Sequence, residues 1–141
     1  MNKNQQMIQA VMEGKLPLPP IAELIGIRLT SFGDGSVSME MEASKKHWNP
    51  MKTLHGGVLC DIADAAMGTA FFTTLADGES YTTVDLSIKF LSPVIEGKVT
   101  AQAHVVKRGH HLGYMECELR DAKGELIAKA NSTCIATGTK Q

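Results

Sequence analysis

From Ser36 to Glu42 apolar and polar residues alternate strictly, Val37, Met39 and Met41 being separated by Ser38, Glu40 and Glu42. A period of two predicts a strand with one wet face, and Asp34-Gly35 just before it is a hairpin-type turn signal. The same alternation returns in Thr82 to Leu91 through Val84, Leu86, Ile88 and Phe90, and in Val99 to Val105 through Val99, Ala101, Ala103 and Val105. Met115, Cys117 and Leu119 alternate with Glu116, Glu118 and Arg120, Asp121 to Gly124 supplies a turn, and Leu126 to Ile135 completes a second hairpin. Two segments follow a helical period instead. Met7, Ile8, Val11 and Met12 mark a short amphipathic helix ending at Gly14, which reads as structural. The stretch from Gly56 to about Leu75 is apolar around nearly its whole circumference, as expected of a long helix enclosed by other structure. Between the first helix and Ile21, Pro17, Pro19 and Pro20 force an extended connector.

The order is short helix, one or two strands, long apolar helix, then four strands. An α+β arrangement satisfies it: an antiparallel sheet of five to six strands wrapped around one central helix, the hotdog fold. Residues 1–20 then form the N-terminal helix and proline-rich connector, and 21–141 a single domain. One such sheet cannot cover every side of the helix or hide its own edges, which predicts a homodimer, pairing further as a dimer of dimers.

Composition narrows the function. Fourteen Lys and Arg stand against 15 Asp and Glu, so no global field draws the chain to nucleic acid or an anionic membrane. Residues 58–75 are the most apolar stretch but contain Asp61, Asp64 and three threonines, a poor membrane span. The N-terminus lacks a signal-peptide core, and Cys60, Cys117 and Cys134 lack CxxC spacing and read as buried, reduced thiols, which together predict a cytoplasmic protein.

The informative segment is Asn49 to Gly68, NPMKTLHGGVLCDIADAAMG, where a polar loop enters the buried helix through two glycines. Free N–H groups at a helix start carry partial positive charge, so Gly56 and Gly57 can receive a developing oxyanion; they equally permit a tight turn. Asp64 lies two turns into an apolar helix where a carboxylate is expensive, and serves either catalysis or a structural partner. Asp61 ranks second, as a polar contact or cap. His55 either orients a ligand or Asn49, or merely bonds the loop. Lys107-Arg108-Gly109-His110-His111 is the one dense basic patch, a phosphate contact or a solvated turn. No HExxH, GxSxG, P-loop or dinucleotide motif is present, which argues against a catalytic metal and against serine, nucleotide and hydride chemistry.

Three pieces together carry a family resemblance: Asn49 followed six residues later by His55-Gly56-Gly57, Asp64 nine residues after the histidine, and TVDLSIKFLSPV from Thr83 to Val94. Over roughly Ile21 to Thr137 the chain resembles the hotdog-fold acyl-coenzyme A thioesterases of the phenylacetate-degradation (PaaI-type) group. The resemblance implies that Gly56 N–H and the Asn49 side chain polarise the thioester carbonyl. It implies that Asp64, from the opposite subunit, activates water or attacks directly, that Thr83 helps place the water, and that His55 holds the loop. Gly57, Arg108, Gly109 and His110 are then substrate contacts, the last three to the nucleotide of coenzyme A. No cofactor is implied, because a thioester needs only carbonyl polarisation and one carboxylate. One departure stands out: family members frequently have glycine three residues before the histidine, where this chain has Lys52. The alternative functions are a non-catalytic acyl-CoA-binding module and an enoyl-CoA hydratase on the same fold.

Overall fold

The computed structural model describes residues 1–138; the last three residues of the expected domain lie outside them. Helix α1 (Lys3–Met12) is started by a reciprocal cap, Gln5 N–H donating to Asn2 Oδ1 at 2.7 Å and Asn2 N–H to Gln5 Oε1 at 3.2 Å. A second helix, α2 (Pro20–Ile25), was not anticipated from the sequence. Pro20 does not prolong the extended connector: it occupies the first helical position, where its fixed φ suits a helix and its missing N–H costs nothing. Gly26, at φ 92°, closes the turn.

Six antiparallel strands follow, β1 (Arg28–Gly33), β2 (Ser36–Ala43), β3 (Ser80–Phe90), β4 (Gly97–Arg108), β5 (Leu112–Arg120) and β6 (Leu126–Thr137), in the spatial order β1-β2-β4-β5-β6-β3. The long helix α3 (Gly56–Phe72) lies between β2 and β3 in sequence and crosses the sheet from one side to its far edge. This is the hotdog fold. The inner face of the sheet is rich in small residues, Ala101, Ala103, Ala128 and Ala130, which let the helix approach and bury Ile62, Met67 and Phe71 completely. Gly113 serves the same end, for a side chain there would run into the Phe71 ring. Among the described residues, no helix is long and apolar enough to cross a membrane.

Two local patterns depart from simple alternation. In β3 the register slips between Thr83 and Asp85, so Val84 bulges out of the ladder. Leu86 and Ile88 remain half-buried, while Val84 and Phe90 are 59% and 54% exposed, on an edge strand paired with β6 on one side and with no strand of the chain on the other. In α3 the apolar circumference is not wholly enclosed: Gly57, Asp61 and Asp64, spaced four and three residues apart, form one exposed stripe. The carboxylates expected to be buried therefore face outward in the single chain, beside the bare sheet edge.

Candidate active site

The loop before α3 is held by its own polar groups. His47 is buried, its Nε2 2.9 Å from the Ile25 carbonyl and its Nδ1 accepting from Ser44 N–H, and its carbonyl accepts from His55 N–H at 2.9 Å. Asn49 Oδ1 accepts from the N–H groups of Met51 and Thr53, and its Nδ2 donates to Thr53 Oγ1 at 2.9 Å. One amide hydrogen of Asn49 thus remains available on a side chain already fixed in direction. Lys52, at φ 64°, is the one non-glycine residue in the left-handed region among the described residues. Its position is the one where the resembling family frequently has glycine, so the loop keeps a glycine-type conformation with a lysine in it.

At the start of α3, His55 is the capping residue and its Nδ1 accepts from Gly57 N–H at 2.8 Å. The sequence leaves His55 between ligand and loop roles; the hydrogen bond puts it in the cap, and no hydrogen bond joins it to Asn49 among the described residues. Gly57 N–H is spent on that cap, whereas Gly56 N–H donates to no group of the described residues. A Cβ on Gly56 would lie 2.8 Å from the ring tip of Phe90, so glycine lets that exposed ring rest directly over the helix start.

Two turns along the exposed stripe, Thr83 Oγ1 donates to Asp64 Oδ1 at 2.9 Å. Residues nineteen positions apart in sequence are joined because α3 runs antiparallel along β3: Phe90 faces Gly56, Thr83 meets Asp64, and Tyr81 closes on Gly68. The bulge at Val84 sits next to Thr83, where the ladder must be re-aimed. Burial, and then the charge of Asp64, push the carboxyl of Asp61 up. The Cys60 thiol is pushed up as well, by burial first and then by Asp61 and Asp64, which leaves it a poor nucleophile at neutral pH. Cys60 is only half-buried, unlike Cys117 and Cys134, since its turn of α3 borders the open stripe.

The basic patch is not brought to this site within one chain. Arg108 ends β4 at the opposite end of α3, where its Nε donates to Thr74 Oγ1 at 3.0 Å and its guanidinium lies 4.7 Å from the centre of the Phe71 ring. Its Nη1 closes the turn on the carbonyls of Gly109 and His110. Among the described residues, no group of three His, Cys, Asp or Glu side chains is arranged to hold a metal ion.

Asp61 and Asp64 also form part of the wall of a cavity of about 480 Å³ that runs under α1 and α2. Met7, Ile8 and Val11, which the sequence assigns to a structural helix, wall it together with Leu18 of the connector. The apolar stripe of α1 was visible in the sequence, but nothing there said which surface it covers. Phe72 lines the same space, whereas Met67 and Phe71 are fully buried core and Met51 is exposed.

Comparison with known proteins agrees with this fold. The family model for the thioesterase superfamily matches residues 51–128. Human acyl-coenzyme A thioesterase 13 is 30% identical over 136 residues, covering 94% of this chain and 96% of its own length. A phenylacetic acid degradation-related protein of Ralstonia eutropha superposes with a TM-score of 0.84 at 28% identity, over 91% of this chain and 98% of that one. The E. coli PaaI protein from the phenylacetic acid degradation operon reaches a TM-score of 0.85 at 24% identity, over 98% and 96% of the two chains, a likeness of fold. A match across more than half the sequence, and a relative at 30% identity along nearly all of it, make this chain a member of the thioesterase superfamily and its chemistry thioester hydrolysis.

Proposed function

We propose that the protein hydrolyses acyl-coenzyme A thioesters at a site completed by a second copy of the chain, with Asp64 as the general base. The reading rests above all on the hydrogen bond from Thr83 to Asp64 on the exposed stripe of α3. Gly56 N–H and the remaining amide hydrogen of Asn49 polarise the thioester carbonyl. A water on the free carboxylate oxygen of Asp64, whose other oxygen Thr83 holds in place, gives a proton to the carboxylate and attacks the carbonyl carbon. The tetrahedral oxyanion is held by the two donors and collapses, expelling the thiolate of coenzyme A, which takes the proton back from Asp64. Each donor or base contributes on the order of 10²-fold or more to the rate.

Distance argues for the second copy. Gly56 and Asp64 are eight residues apart on one helix, about 12 Å along its axis, too far to act on a single carbonyl. The bare edge of β3 carries exposed Val84 and Phe90, which suits pairing with another β3. Because Phe90 lies at Gly56 and Thr83 at Asp64, an antiparallel pairing centred between them sets the Gly56 end of one chain against the Asp64 end of the other. His55 and Gly57 hold the oxyanion donor in place. Arg108, Gly109 and His110, away from the chain's own helix start, would meet the nucleotide of a substrate bound across copies, most simply in a dimer of dimers. No cofactor enters this reading, and the unpaired thiols suit a cytoplasmic setting.

The test is thiol release from acyl-CoA esters by wild type and by Asp64→Asn. Hydrolysis by wild type, with a loss of at least about 10²-fold in kcat for a variant that keeps its fold and assembly, is the expected result. Wild-type rates in Asp64→Asn would remove the assigned base. Tight binding of intact esters without release would mark a binding module instead.

A further inference from the structure

The mechanism above uses Asp64 but leaves the cavity beside it unassigned. We infer that this cavity takes the acyl group, and that the acyl group is an unbranched aliphatic chain of medium or greater length, measured off by Val11 and its neighbours on α1. The inference rests on the thioesterase reading of Asp64, since only then does the acyl carbonyl sit at the cavity wall.

Size comes first. An apolar cavity of roughly 150 Å³ is enough to hold a benzene ring, and the space here is about 480 Å³. The space is partly open to solvent, so a phenylacetyl group would leave much of its apolar lining against water rather than against substrate. A flexible chain can fill the volume. Chemistry points the same way. Phe72 and Tyr81 are the aromatic members of the wall; the side towards α1 and the sheet, Met7, Ile8, Val11, Leu18, Leu29 and Met39, is aliphatic or thioether, and unbranched methionine adapts to chains of different length. No Lys, Arg or His lines the cavity, while Asp61 and Asp64 do. An acyl group ending in a carboxylate would therefore be desolvated beside two acids with no cation to pair it.

The outer wall is also a separable piece of structure. α1 is fastened at its first turn, Asn2 Nδ2 donating to the Thr73 carbonyl at 2.9 Å and Asn4 Nδ2 to that of Phe72 at 3.1 Å. Only Ile8 among its apolar residues is buried. Met7 and Val11 border the space without being part of the sealed core, so a larger side chain at Val11 reduces the space rather than displacing packed neighbours.

The experiment measures kcat/KM for thiol release by the full-length protein with acetyl-, butanoyl-, octanoyl-, dodecanoyl-, hexadecanoyl-, phenylacetyl- and succinyl-CoA. The expected result is a rise with chain length of up to about fourfold per methylene until the cavity is full. Octanoyl or dodecanoyl should exceed phenylacetyl and succinyl by at least about tenfold. In Val11→Trp the ratio of dodecanoyl to butanoyl should fall by about tenfold or more. A flat series, a preference for phenylacetyl or succinyl, or an unmoved ratio in folded Val11→Trp overturns the inference while leaving a thioesterase. If that variant does not fold, the wild-type series alone decides. Absence of release from every ester refutes the thioesterase reading, and this inference with it.

Discussion

At the scale of single residues the site is a set of small local decisions about which polar group is already taken. Gly57 N–H is occupied by His55 and Gly56 N–H is not, so one of two adjacent glycines is left to act. Lys52 holds a left-handed conformation that costs an L-residue roughly 1–2 kcal/mol, against a smaller entropic penalty for glycine. Lys52→Gly is therefore expected to raise stability by about 0.5–1 kcal/mol, read as a shift of the urea midpoint at constant slope. Asp61 carries the opposite kind of strain, its carboxyl raised by burial and by Asp64. A raised value means the fold holds that proton more tightly than the unfolded chain does. The resulting stability is complete below the ordinary value of 3.8 and is lost as pH rises through the raised one. Asp61→Asn should accordingly raise Tm at pH 7 by a small amount, and the difference should shrink to nothing as the pH of the melt falls below 3.8.

At the scale of elements, the pairing of α3 with the sheet decides where chemistry can occur. The helix lies close because alanines and Gly113 face it, and Phe71 occupies the space that a side chain at 113 would need. Gly113→Ala should cost about 1–3 kcal/mol in chemical denaturation through overpacking. A milder loss would mean that Phe71 has room to rotate. The antiparallel course of α3 along β3 is what joins Thr83 to Asp64, and neither residue's local sequence contains that information.

At the scale of the whole molecule, the single chain leaves its apolar edge and its acidic stripe open on the same side. If sites are shared between copies, Asp64→Asn and Asn49→Ala, each nearly inactive alone, should complement one another. A one-to-one mixture co-refolded from denaturant should recover roughly a quarter of wild-type activity, since half the dimers are mixed and each has one intact site. Recovery near the sum of the two separate variants would place both residues in the same chain's site. Arg108 belongs to the one dense basic patch in the sequence, yet the fold ties it to Thr74 and Phe71 at the other end of the helix.

The strands, the long helix and the spacing of Asn49, His55, Gly56 and Asp64 are all legible along the chain, because periodicity and turn chemistry are local properties. Helix α2 was not, because six residues are too few to show a period and its start depends on how Pro20 is used. The exposure of Asp64 was misjudged for a related reason: an apolar helix says that burial is needed, not which chain provides it. Sequence alone determined the elements and the candidate reactive groups. Only the tertiary structure decided that Thr83 meets Asp64, that Gly56 rather than Gly57 keeps a free amide, and that α1 walls a cavity beside the carboxylates. Those outcomes depend on contacts between residues far apart in the chain, whose geometry exists only once the sheet has closed on the helix.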